Sequence, residues 1–68
     1  VVYNILITEK NGMIGYLSIV SKHFCSTTYR QCVLWFNTKE KAEKIIKRLK
    51  KKWEKRSFEI KEHTKILR

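Results

Sequence analysis

Residues 37–53 read NTKEKAEKIIKRLKKKW, and this stretch decides the fold. Ala42, Ile45, Ile46, Leu49 and Trp53 recur at helical spacing. Wound at about 100° per residue they fall within about 50° of one direction, the narrow apolar stripe of an amphipathic helix. Asn37 and Thr38 are both good N-caps, and Glu40 stands three residues after Asn37, the spacing of a capping box. Lys44, Lys47, Arg48 and Lys51 fall on the opposite side, with Lys50 and Lys52 at its flanks. The spacing therefore predicts a helix over 37–53 with one face against something apolar and the other strongly cationic.

The helix needs a surface to cover, and the rest of the chain supplies strands. Residues 1–8 are rich in β-branched and aromatic side chains and predict a first strand. Tyr3, Ile5 and Ile7 share one face; Val2, Asn4, Leu6 and Thr8 share the other. Asn11-Gly12 is the strongest hairpin signal, because a type I′ turn needs positive φ at both central residues. A hairpin closed there sets Ile7 opposite Tyr16 and Leu6 opposite Leu17, with a second strand over 13–21. Its more apolar face holds Tyr3, Ile5, Ile7, Ile14, Tyr16 and Val20, the face predicted to receive the helix. The remaining face, with Leu6, Leu17 and Ile19 beside Asn4 and Thr8, is too apolar for an ordinary solvated surface. Either the register is shifted by one residue or this face meets a partner.

Residues 22–28, KHFCSTT, read as a polar loop, and residues 29–36, YRQCVLWF, as a third strand whose last half is apolar on both sides. After the helix, residues 57–63, SFEIKEH, alternate Phe58 and Ile60 inward with Glu59 and Lys61 outward, as in a charged edge strand. Residues 64–68 either extend that strand or trail from it. The expected architecture is a small single-domain α+β fold over residues 1–68 in the order βββαβ, a hairpin and third strand carrying one amphipathic helix, then a short closing strand.

With 68 residues there is room for one small core. The net charge of +10 suits an anionic partner: nucleic acid, a membrane surface or an acidic protein face. Only four of the sixteen cations are arginine (Arg30, Arg48, Arg56 and Arg68). Arginine's planar fork is what base-specific readout favours, so the composition points to backbone attraction instead. No apolar run approaches a membrane span and no signal peptide is visible, so the expectation is a cytoplasmic protein with no membrane partner.

The junction Phe36-Asn37-Thr38-Lys39-Glu40-Lys41-Ala42-Glu43-Lys44, followed by a lysine-rich helix and a closing Phe58-Glu59-Ile60, resembles small phage- and prophage-encoded proteins. That resemblance implies a mobile-element or viral origin. Phe36, Thr38, Lys39 and Ala42 also match the junction of the AP2-like arm-binding domains of tyrosine integrases, whose three-stranded sheet enters the DNA major groove. On that likeness Asn4, Thr8, Lys10, Lys22 and Arg30 become candidates for DNA contact. The chain departs from those domains in its strand after the helix and in carrying most of its charge on the helix.

Other constellations are sparse. His23, Cys25, Cys32 and His63 are four possible soft-metal ligands, but their spacing fits no common finger and C-x-x-C is absent. The plainer reading makes Cys32 a buried strand thiol and Cys25 a loop thiol, with no metal and no cofactor. The six acids are scattered. Glu40 and Glu43 are spaced to pair with Lys44 and Lys47 on the helix surface. The chain contains no aspartate and no phosphate-cradling glycine loop, so no acid-base or nucleophilic constellation can be built and no catalysis is expected.

Lys44, Lys47, Arg48, Lys51, Lys52, Lys55 and Arg56 are the candidate phosphate-contacting set, with Tyr16, Tyr29 or Trp35 as possible stacking platforms and Trp53 as an anchor beneath the helix. The expected function is a small non-catalytic nucleic-acid-binding accessory protein, with DNA favoured over RNA. The alternative is a module that inhibits or recruits a host protein, or forms a homodimer, through the spare apolar sheet face.

Overall fold

The alternation at the start of the chain builds β1 (Val2–Thr8), and the structure, a computed structural model describing residues 1–65, adds β2 (Ile14–Val20), β3 (His23–Thr27), a 3₁₀ turn (Arg30–Cys32), α1 (Lys39–Lys52) and β4 (Ser57–His63). The strands form one antiparallel sheet in the order β3-β2-β1-β4, and the helix lies across one face. This is the expected α+β fold with βββαβ order. Residues 66–68 lie outside the described residues, so the reading of 64–68 is settled only in that β4 ends at His63.

The first hairpin is shifted by one residue from the expected register. Leu6 faces Tyr16, Ile7 faces Gly15 and Thr8 faces Ile14. The cause is the turn. Gly12 N–H donates to the Glu9 carbonyl, Glu9 N–H donates to the Met13 carbonyl, and Gly12 alone takes a positive φ, of 90°. Lys10, Asn11 and Gly12 thus make a three-residue loop with glycine at the left-handed position, rather than a two-residue Asn-Gly turn. The Asn11 side chain accepts from Met13 N–H at 3.1 Å, which stabilises that alternative. A one-residue slip moves every side chain of β2 to the other face. Leu17 therefore joins Ile5 and Ile7 under the helix, while Ile14, Tyr16 and Val20 turn away from it; Ile19, on the same side of the sheet as Leu17, stays exposed.

The third strand is also displaced. The expected loop at 22–28 contains β3, and β3 pairs with β2 from Val20–His23 to Tyr16–Thr27. Ser21 and Lys22 form the tight two-residue connection with φ of 49° and 68°. This is the left-handed pair a type I′ turn requires, built from residues that announce no such preference. Residues 29–36 are not a strand. After the 3₁₀ turn the chain enters the gap where β1 and β2 diverge beyond Leu6 and Tyr16. Leu34 N–H donates to the Leu17 carbonyl at 2.9 Å, and Tyr3 and Phe36 exchange backbone hydrogen bonds at 2.8 and 2.9 Å. At the apolar end of the segment Leu34 and Phe36, both half-buried, pack on the core.

That core is Ile5, Ile7, Leu17, Ala42 and Leu49, ringed by Phe24, Leu34, Phe36, Ile45, Ile46, Trp53, Phe58 and Ile60. The helical stripe read from sequence lies against the sheet as expected. Thr38 is the N-cap, its Oγ1 accepting from Lys41 N–H at 3.3 Å. Lys41, not Glu40, is consequently the third helical residue, and no capping box forms. Trp53 closes the helix, its N–H donating to Leu49.

The opposite face of the sheet is partly covered by the chain itself. Ser18, buried on that face, donates its hydroxyl to the Cys32 carbonyl. Asn4, also buried, meets His63 Nε2 through its side-chain oxygen at 3.2 Å, and Trp35 lies edge-on to His63 with ring centroids 5.2 Å apart. Residues 28–35 bridge this polar centre. The apolar face expected there is dissolved twice over: Leu17 is rotated into the core, and the middle is occupied. Ile14 and Val20 are exposed, but at opposite ends of β2.

Candidate nucleic-acid interface

Packing the apolar stripe on the sheet fixes where the helix points its cations. Lys44, Lys47, Arg48 and Lys51 face solvent and are exposed, and the long stems keep each ammonium or guanidinium in water. Lys47, Arg48 and Lys51 line one shallow depression. The expected pairs Glu40–Lys44 and Glu43–Lys47 are not closed: among the described residues, the ion pairs within 4.0 Å are Arg56–Glu9 and Lys61–Glu59. Lys44, Lys47, Arg48 and Lys51 thus have no acidic partner within 4.0 Å among the described residues. Glu40 in the first turn and Lys50, Lys51 and Lys52 in the last complement the helix dipole, whereas Lys39 and Lys41 in the first turn oppose it.

Beyond the helix the set divides. Lys52 and Lys55 are exposed. Arg56 is half-buried and committed to the fold. Its Nε donates to Glu9 at 3.0 Å, and its guanidinium sits 4.3 Å from the centre of the Trp53 ring. Trp53 in turn stacks on Phe58 at 6.3 Å with the planes 12° apart. The expectation that Trp53 anchors the helix therefore holds, and its outer face is capped by arginine. A groove of about 550 Å³ runs beside this stack, with Lys10, Lys51, Lys52, Lys55 and Arg56 set against Glu9 and Glu54. The first-hairpin turn thereby extends the basic surface of the helix end through Lys10. Sequence reasoning had no signal for this, since Glu9 and Arg56 are far apart in the chain.

The positions suggested by the integrase likeness are scattered. Asn4 is buried against His63, and Thr8 is half-buried at the end of β1. Lys10 and Lys22 sit in turns at opposite ends of β2, and Arg30 is exposed in the 3₁₀ turn. Arg30 shares a cleft of about 230 Å³ with Asn4, Tyr16, Val33, Trp35 and His63. Of the three aromatic stacking candidates, Tyr16 and Trp35 are half-buried and only Tyr29 stands open, 66% exposed.

The thiols are exchanged relative to expectation. Cys25 is the half-buried strand residue and Cys32 the exposed one, because β3 occupies the expected loop. Both are free thiols. Among the described residues no three His, Cys, Asp or Glu side chains converge to hold an ion, and no helix is long and apolar enough to cross a membrane. Burial, and then the Glu62 carboxylate that faces it across β1 and β4, raise the Tyr3 phenol above its ordinary value.

Comparison with family models, curated proteins and solved structures finds no match for this chain.

Proposed function

We propose that this protein binds nucleic acid through the solvent face of α1, non-catalytically and with little regard to sequence. The observation that carries the reading is the row Lys44, Lys47, Arg48 and Lys51, exposed and without an acidic partner within 4.0 Å. Lys52, Lys55 and Lys10 continue the row around the helix end, whereas Arg56 holds that end together. Cations so placed displace condensed counterions from a phosphate backbone, which makes the affinity salt-dependent and sequence-tolerant. Duplex DNA is the preferred ligand in this reading, and the likeness of the Phe36–Lys44 junction to small phage proteins supports an accessory role in a mobile element, within a cytoplasm.

The test is fluorescence anisotropy with mixed-sequence duplex DNA and with RNA across a salt series. The expected outcome is a Kd of about 10⁻⁴–10⁻⁶ M at physiological salt that tightens on dilution of the salt. Replacing Lys44, Lys47 and Lys51 together by Gln is expected to reduce the slope of log K against log salt by about 3, near 0.9 for each phosphate no longer neutralised. Binding that ignores salt, or that survives the triple substitution unchanged, removes the proposal.

A further inference from the structure

We infer that β3 is a pairing edge for β3 of a second copy of this chain, in antiparallel sense about a two-fold axis at Cys25. The sheet has two edges, and they differ. β4 carries Glu59 and Lys61, joined at 3.2 Å, the charged dressing that discourages pairing. β3 reads His23-Phe24-Cys25-Ser26-Thr27, and no lysine, arginine, aspartate or glutamate lies between Lys22 and Arg30. On a chain of net charge +10 this is the place where two copies meet without opposing lysines.

The parity of the ladder fixes which groups are offered. The two-residue turn at Ser21-Lys22 makes Val20 and His23 a hydrogen-bonded pair, so His23, Cys25 and Thr27 direct their backbone groups at β2. The Leu17 carbonyl, opposite Ser26, points the other way and accepts from Leu34, which confirms the parity. Phe24 and Ser26 therefore direct N–H and C=O outward. An axis at Cys25 sets each Phe24 against Ser26 of the other copy, so the outward groups of both strands are mutually satisfied. The two Cys25 residues become a non-hydrogen-bonded pair, with Cα atoms about 4.5 Å apart. That falls within the roughly 4.4–6.8 Å a disulfide spans. Because the axis is perpendicular to the sheet, both helices lie on one side of an eight-stranded sheet. A five-residue seam buries little, so the association is weak and is opposed by mutual repulsion at low salt.

The experiment is mild oxidation of the native protein by oxidised glutathione, read on non-reducing gels, with sedimentation velocity on the reduced protein. Two thiols give one disulfide, their two electrons and two protons passing to glutathione. The expected result is a covalent dimer that persists in Cys32→Ser and is lost in Cys25→Ser, although Cys32 is the more exposed thiol. Reduced protein is expected to dimerise more at high salt than at low. Ser26→Pro removes an outward N–H without touching the β2 ladder and is expected to restore the monomer; Ser26→Lys places a charge on the seam and does the same should proline impair folding. A monomer at every concentration up to about 1 mM, the weak limit of association, overturns the inference. So does cross-linking through Cys32. The inference stands apart from the nucleic-acid reading, because salt strengthens this dimer and weakens phosphate binding.

Discussion

The two faces of the sheet are covered by different means. Under α1 the sheet presents Ile5, Ile7 and Leu17, all fully buried, and the cover is a helix whose apolar stripe spans its length. On the other side the buried residues are polar, Asn4 and Ser18, and the cover is a single irregular segment held by a hydroxyl, an imidazole and an indole edge. The helix face is stabilised by area removed from water, which tolerates small shifts. The segment face depends on polar groups finding specific partners, and among the described residues no buried side-chain nitrogen or oxygen lacks one. One cover is adaptable in detail and destabilising to hollow out. The other needs little area but is intolerant of a missing partner.

The largest effect expected is on the helix face. Leu17→Ala leaves a cavity beneath α1 and is expected to lower stability by about 2–5 kcal/mol, measured by urea unfolding. A drop of under about 1 kcal/mol, well below the usual range for such a truncation, contradicts the register that puts Leu17 inside. On the segment face, Ser18→Ala strips the Cys32 carbonyl of its donor and is expected to cost about 1–3 kcal/mol. It is also expected to speed amide exchange at Leu34 more than in the helix, whereas Leu17→Ala speeds exchange throughout. Equal acceleration in both variants erases the distinction between the covers.

A change of opposite sign comes from the turn that creates β3. Lys22 holds φ at 68°, and Lys22→Gly relieves it, with an expected gain of about 1 kcal/mol in thermal or urea unfolding. The smallest effect concerns Tyr3. Its folded phenol has a raised pKa, so the neutral form is the one the fold favours. The corresponding stability is complete below the ordinary phenol value of about 10 and is lost as pH rises through the raised one. Tyr3→Phe is expected to remove that alkaline decline, read by urea unfolding across a pH series.

The helix face was legible in the sequence because periodicity reports burial against a continuous apolar surface. Ala42, Ile45, Ile46, Leu49 and Trp53 meet the core where the 3.6-residue spacing says they should. The sheet's register was not legible, because Asn11-Gly12 serves a three-residue loop as well as a two-residue one, and the Asn11 side chain decides between them by bonding Met13. Ser21-Lys22 carries no turn signal at all; the ladder imposes positive φ on it. Residues 29–36 carry strand-like alternation, yet Ser18 and Leu17 hold them as a wedge. The cations of the candidate interface were readable as a face, but the division between Lys44, Lys47, Arg48 and Lys51, free to meet a ligand, and Arg56, tied to Glu9 and Trp53, depends on contacts between distant parts of the chain.

The pairing of β1 with β4, register running from Val2–His63 to Thr8–Ser57, has a consequence for how the protein is made. β1 is synthesised first among the strands, but its outer row of N–H and C=O groups stays unmatched until residues 57–63 have left the ribosome. During that interval the nascent chain exposes an apolar strand with one open flank, in the company of β3, whose outer flank no strand of the same chain covers. Completion of the sheet is therefore a late, cooperative step that spans nearly the whole chain, and the period of greatest vulnerability to wrong strand partners falls before α1 and β4 arrive together.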